Sequence, residues 1–162
     1  MSQRKAIYPG TFDPFTYGHR DILTRALRIF DRVEVAVAQE GRNTLFPVEE
    51  RVALAKIAIA ELPDPERCPV TTFSGLLVDE MRLRETPTAI RGIRSIGDLD
   101  HEQQMAAMNR SLWPDYEMLI LFARPELVMI SGSLVRDVAR CGGDISSFVS
   151  APIAAALRAR FV

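Results

Sequence analysis

Much of what would mark a familiar class of protein is scarce or missing in this chain. Cysteine occurs twice in 162 residues, at Cys68 and Cys141, far apart and without metal-site spacing. With only His19 and His101 to join them, the composition argues against a structural zinc and leaves both thiols to be read as reduced and structural. Twenty basic side chains nearly cancel twenty-one acidic ones, for a formal charge of −1, so bulk charge offers nothing to a nucleic acid or an anionic membrane. Any anion must be met by a local cluster. No apolar run approaches bilayer-spanning length and no charged, apolar, small-residue leader opens the sequence, so a soluble, cytoplasmic protein is expected. Repeats and low-complexity tracts are absent, and so are the phosphate-binding patterns GxxxxGK[ST] and GxGxxG. The length suits a single domain, over residues 1–162, with a substantial core.

What is present is concentrated first between Tyr8 and His19. Lys5 to Tyr8 is short, partly β-branched and aromatic, and runs into Pro9-Gly10, which reads as a strand stopped by a turn. From Gly18 onward Ile22, Leu23, Ala26, Leu27 and Phe30 recur at helical spacing, with Arg20, Asp21, Arg25 and Arg28 on the opposite face. His19 therefore falls in the first turn of a helix. Unpaired backbone N–H groups and the positive end of the dipole favour an anion there, and an imidazole N–H adds a donor.

The same alternation continues along the chain. Val33 to Ala38 is nearly all apolar, as in a strand covered on both faces, and the polar loop Gln39 to Thr44 follows with Arg42 in it. Val48 to about Leu62 reads as a helix with a proline before it, acids in its first turn and Arg51 in a structural role. Val70 to Phe73 is a third strand and Leu76, Leu77 and Met81 belong to a short helix. Thr88 to Ile90 is a fourth strand running into Arg91-Gly92-Ile93-Arg94, where two guanidinium forks flank a glycine, a pattern suited to bidentate phosphate recognition. Ser95 to Leu112 reads as a helix with Met105, Met108 and Leu112 on one side, expected to be core, and with His101 on the surface. Tyr116 to Phe122 is a fifth strand. Ser131, Gly132 and Ser133 precede Leu134, Val135 and Val138 as an N-cap and a second anion-binding helix start, and a last helix runs from Ser150 through Arg160.

Five strands alternating with helices imply an α/β fold, with a parallel sheet and right-handed crossovers. Thr11, His19, Arg42, Arg91, Arg94, Ser131 and Ser133 fall on loops or helix starts at its carboxyl edge, so two anionic ligands are implied.

Gly10-Thr-Phe-Asp-Pro14 followed by Thr16-x-Gly-His19 resembles the [HT]-x-G-H signature of the nucleotidyltransferase superfamily. The longer match Tyr-Pro-Gly-Thr-Phe-Asp-Pro is similar to the bacterial phosphopantetheine adenylyltransferase family within it. That resemblance implies a Rossmann-like five-stranded parallel sheet with helices on both faces, and adenylyl transfer from ATP to 4′-phosphopantetheine with His19 as the catalytic residue. It assigns the acceptor to Thr11, Arg42, Leu77, Arg91 and Asn109, with Met105 and Met108 beside the pantetheine arm. It assigns ATP to Thr11, Phe12 and His19 in the first motif, Gly92, Ile93, Arg94 and Glu102 in the middle, and Leu127, Ile130, Ser131, Gly132 and Ser133 near the end. It also implies magnesium carried on the ATP phosphates, a homohexamer and coenzyme A as a feedback ligand. The chain departs from the family pattern at Arg42 for lysine, at Tyr17 for asparagine and at Gly132 for a hydroxyl residue. Arginine keeps the charge at 42 but not the reach of lysine, and Gly132 removes one hydroxyl while leaving the backbone donors. An acceptor phosphate is already largely dianionic at neutral pH, so this reaction needs no general base. The alternatives are a nicotinamide mononucleotide adenylyltransferase, against which Thr16 and the Arg91 motif argue, and a nucleotide sensor without catalysis, against which His19 argues.

Overall fold

A computed structural model describes residues 3–41 and 43–161; Arg42, predicted to meet the acceptor, lies outside the described residues. Five strands alternate with helices: β1 Lys5–Gly10, α1 Tyr17–Ala26, β2 Arg32–Ala38, α2 Val48–Ala60, β3 Val70–Phe73, α3 Leu77–Leu83, β4 Thr88–Ile93, α4 Ile96–Leu112 and β5 Glu117–Phe122, followed by α5 Gly132–Arg140 and α6 Ala151–Arg160. The sheet order is β3-β2-β1-β4-β5 and every pairing is parallel. The chain thus leaves β1 in one direction and returns on its other side at β4. That reversal opens a crevice outside the carboxyl ends of the two strands.

Period-two alternation divides the core between the faces of the sheet. Ala6, Tyr8, Val33, Val35, Val37 and Ile90 point to one side, where they meet apolar residues of α1, α2, α5 and α6. Ile7, Ala36 and Ala89 point to the other and pack with Val78 and Met81 of α3, with Tyr116, and with Ala106 of α4. Among the described residues no helix is long and apolar enough to cross a membrane.

Three sequence expectations are corrected. β1 runs on to Gly10, in register with Val37, where Pro9-Gly10 reads as a stop. The Pro9 carbonyl accepts from an arginine on β4, so the N–H that proline lacks would face β4, to which β1 is paired at Ile7 opposite Ala89. A proline is tolerated there although the strand is central. β4 likewise extends to Ile93, placing Arg91 and Gly92 inside the strand. The methionine stripe of α4 is not core: Met105, Met108 and Leu112 are 42, 60 and 43% exposed, and the helix buries Glu102, half-buried Ala106 and Asn109 instead. Its inward stripe is polar at Glu102 because that carboxylate pairs with Arg91 of β4.

Candidate active site

The crevice is a cavity of about 560 Å³ at the carboxyl edge of β1 and β4. Its floor is the loop after β1. Thr16 caps α1 from an extended backbone (φ −111°), and its hydroxyl accepts the His19 N–H at 3.4 Å. His19 returns the bond, its Nδ1 accepting the Thr16 N–H at 3.0 Å. This is a capping box with imidazole in the place usually taken by glutamate. The consequence is chemical: with Nδ1 used as an acceptor, the ring proton sits on Nε2. The ring packs edge-on to Phe12 with centroids 5.0 Å apart and tilted against Phe15 at 5.4 Å. Burial, then the charges of Arg94 and Arg91, push its pKa from 6.5 down to about 4. At neutral pH His19 is thus an uncharged donor fixed in one tautomer beside two arginines.

Those arginines come from β4. Arg91 donates from Nη1 to the Pro9 carbonyl at 2.8 Å and from Nη2 to Glu102 at 2.5 Å. The buried stripe of α4 therefore clamps a guanidinium across the gap between the two central strands. Gly92 must be glycine for packing, since a Cβ there would stand 2.9 Å from Cγ1 of Ile22 on α1. Arg94, at the mouth, lies with Nε 3.3 Å from Asp98 and donates from Nη1 to the Ile130 carbonyl at 3.4 Å.

The opposite wall is the start of α5. Ser131 caps it, its hydroxyl accepting the Leu134 N–H at 3.2 Å and lying 3.2 Å from the Ser133 hydroxyl. Gly132 passes close to the first loop, where a Cβ would lie 3.1 Å from the Asp13 carbonyl oxygen, a tight contact.

Most of the predicted site residues line this one cavity. Thr11, Phe12 and His19 come from the first loop and Arg91, Gly92, Arg94 and Glu102 from β4 and α4; Leu127, Ile130 and Ser131 through Ser133 form the far wall. Three do not line it. Ile93 turns its side chain into the core, 2% exposed. Leu77 packs half-buried on the second core cluster, and Asn109 is buried seven residues beyond Glu102 on α4. His101, expected on the bare surface, is exposed but lines the cavity.

Sequence reasoning missed the pairing of Asp13 with Arg136. The Asp13 carboxylate, 5% exposed, accepts the backbone N–H groups of Leu45 at 2.7 Å and Phe46 at 3.0 Å and pairs with Arg136 at 3.0 Å. Asp13 stands within a motif that did draw attention, but its partners lie 32 residues or more away, so spacing carried no signal. Arg51 is buried at 1% exposure and has no ion-pair partner among the described residues. It donates to the carbonyls of Thr11 (2.7 Å), Ala38 (2.8 Å), Phe46 (3.1 Å) and Gln39 (3.2 Å). It is the peg between the first loop and the segment after β2.

Three arginines, two helix starts and a fixed imidazole donor around one cavity can hold a chain of phosphates. Carboxylates facing it are already engaged: Asp13 by Arg136, Asp98 by Arg94 and Glu102 by Arg91. Among the described residues no group of acidic, histidine or cysteine side chains could hold a metal ion by itself.

This architecture defines a nucleotide-binding transferase class, and residues 7–138 match the cytidylyltransferase-like family. The nicotinic acid mononucleotide adenylyltransferase of Plasmodium falciparum, solved with NaAD, superposes with a TM-score of 0.70 over 99% of this chain and 96% of that one. At 15% identity the likeness is one of fold. Sequence relatives are much nearer: the phosphopantetheine adenylyltransferase of Thioalkalivibrio sulfidiphilus is 50% identical over 156 residues, 96% of each chain, and that of Geotalea daltonii 44% over 162 residues, 99% of each. The chain belongs to the phosphopantetheine adenylyltransferase family.

Proposed function

We propose that this chain transfers the adenylyl group of ATP to 4′-phosphopantetheine, giving dephospho-coenzyme A and pyrophosphate, a step of coenzyme A biosynthesis. The observation that carries this reading is His19, neutral and with no partner for its Nε2 proton among the described residues, at a helix start beside Arg91 and Arg94. An oxygen of the acceptor phosphate attacks the α-phosphorus of ATP; the bond from that phosphorus to the bridging oxygen breaks, and pyrophosphate takes the electron pair. The acceptor brings its own nucleophile, so the protein supplies alignment and charge. His19 donates from Nε2 to the non-bridging α-phosphoryl oxygens, where negative charge grows, and a neutral imidazole does so without surrendering its proton. Thr11 and Phe12 offer backbone donors to the same phosphates. Arg91, held by Glu102, faces the acceptor phosphate, and Gly92, Ile93 (through its backbone) and Arg94 border the nucleotide. Leu127, Ile130, Ser131, Gly132 and Ser133 enclose its other side. Leu77 and Asn109 extend the acceptor site along the second face of the sheet, and Arg42 is the further basic residue assigned to the acceptor phosphate.

The nucleotide enters as its magnesium complex. Phosphate oxygens and water suffice to carry the ion, which suits a cavity whose carboxylates are engaged by arginines. The chain forms one domain over residues 1–162 and works in the cytoplasm as a homohexamer; exposed Met105, Met108, Leu112 and Ile96 on α4 supply apolar surface for contacts between copies. Coenzyme A, which shares the pantetheine arm, is the feedback ligand.

The test is pyrophosphate release from magnesium ATP, with 4′-phosphopantetheine or nicotinamide mononucleotide as acceptor, beside a His19→Ala variant. Turnover with phosphopantetheine alone, falling roughly 10²- to 10³-fold in kcat in the variant, is expected for the loss of one donor to the transition state. Turnover with the mononucleotide instead would overturn the acceptor assignment, and nucleotide binding without turnover would overturn the enzyme.

A further inference from the structure

We propose that Asp13 is a positioning residue through which nucleotide binding at α5 organises the acceptor side of the cavity, an inference that rests on the adenylyl-transfer reading above. Asp13 stands where three segments of the wall meet. Its own loop carries Thr11, Phe12 and His19; its carboxylate holds the chain just after Asn43 and Thr44; and its third donor, Arg136, belongs to α5. Arg136 donates from Nη1 both to the carboxylate, at 3.0 Å, and to the main-chain oxygen of Asp13. No other side chain ties the first loop to α5 and to residues 45–46 at once among the described residues.

Arg136 has a second claimant. Its side chain lines the cavity one turn beyond the Ser131 cap, on the wall where phosphates would lie. A triphosphate presents more negative charge than one carboxylate, so binding draws the guanidinium towards the nucleotide. Asp13 is then a buried carboxylate with one cation fewer, and its remaining direct partners are the N–H donors of Leu45 and Phe46, with the Arg51 charge nearby. Those bonds strengthen because a buried charge that loses one hydrogen-bonded partner leans harder on the rest. Asn43 and Thr44, the cavity-lining residues immediately before them, are held in place as a result. The first ligand thus prepays the ordering that the second needs, which is positive coupling between the two substrates.

The experiment measures the dissociation constant of 4′-phosphopantetheine by calorimetry, with and without magnesium and a non-hydrolysable α,β-methylene ATP analogue. The proteins are wild type, Asp13→Asn and Arg136→Gln. In the wild type the analogue should tighten the acceptor by about 10-fold, within the ordinary range of coupling between sites, and the acceptor should tighten the analogue by the same factor. Asp13→Asn keeps an oxygen for an amide N–H but loses the charge, and Arg136→Gln removes the exchangeable cation while leaving the carboxylate. Both should bring the ratio to near one. A merely structural role would weaken each affinity and leave the ratio intact, so an unchanged ratio in both variants overturns the proposal, as does a ratio of one in the wild type. If Asp13→Asn does not fold, Arg136→Gln alone decides. Wild-type protein that binds neither ligand overturns the adenylyl-transfer reading itself, an outcome distinct from binding without coupling.

Discussion

Acid should reach His19 far below the pH at which histidine ordinarily takes a proton. The ring titrates at about 4 against 6.5 for a free imidazole, first because it is buried among aromatic rings and then because Arg94 and Arg91 repel a further positive charge. The unfolded chain binds the proton at the higher pH and the folded chain only at the lower one. Between them protons favour the unfolded state, so this contribution is complete above pH 6.5, is lost progressively down to about pH 4, and is flat below. At 1.36 kcal/mol per unit the full shift corresponds to roughly 3 kcal/mol. His19 is only half-buried and lines the cavity, and water there reduces the figure to roughly 2 kcal/mol. The titration can be followed directly by the NMR shift of the imidazole Cε1 proton. With two histidines in the chain, His19→Ala assigns the signals by subtraction. Urea unfolding at pH 7 and pH 5 then gives the energy, and the variant should lose most of the difference between the two conditions. A His19 signal that titrates between pH 6 and 7, or a wild type that gains stability on acidification through this group, would refute the fixed neutral imidazole and the role given to it.

Other consequences are simpler to state. Arg51→Lys replaces a fork that satisfies four main-chain carbonyls by a single ammonium, and should cost about 3 kcal/mol in urea unfolding, with a lower affinity for the acceptor because the segment after β2 loosens. Gly92→Ala forces its methyl against Ile22 and should lower stability by about 1–3 kcal/mol, read as a fall in melting temperature. Ser131→Ala removes the cap of α5 and should cost about 1 kcal/mol while raising KM for ATP more than it lowers kcat.

The order of elements was legible because each strand is a short apolar or β-branched run and each helix carries its own spacing. Strand ends were not, since Pro9-Gly10 and Arg91-Gly92 resemble stops until the neighbouring strands are in view. The first-turn position of His19 followed from helical periodicity, and its tautomer did not, because the deciding hydrogen bond comes from a backbone N–H. Methionines at 105 and 108 misled for a related reason. Periodicity reports which residues share a face, not which face turns inward, and here a buried ion pair to Arg91 sets the rotation of α4. Asp13 and Arg136 look ordinary alone; what joins them is a contact across 123 positions.

The sheet is continuous across the point where its winding reverses. β1 meets β4 at Ile7 opposite Ala89, and further along a guanidinium reaches across to the Pro9 carbonyl. The cavity sits at the carboxyl ends of β1 and β4, where the two directions of the winding meet. A molecule seated there touches the loop after β1, β4, α4 and the start of α5 at once and acts as a staple. Occupancy therefore stiffens the fold as a whole, and the heat this protein withstands is set partly by how much nucleotide surrounds it.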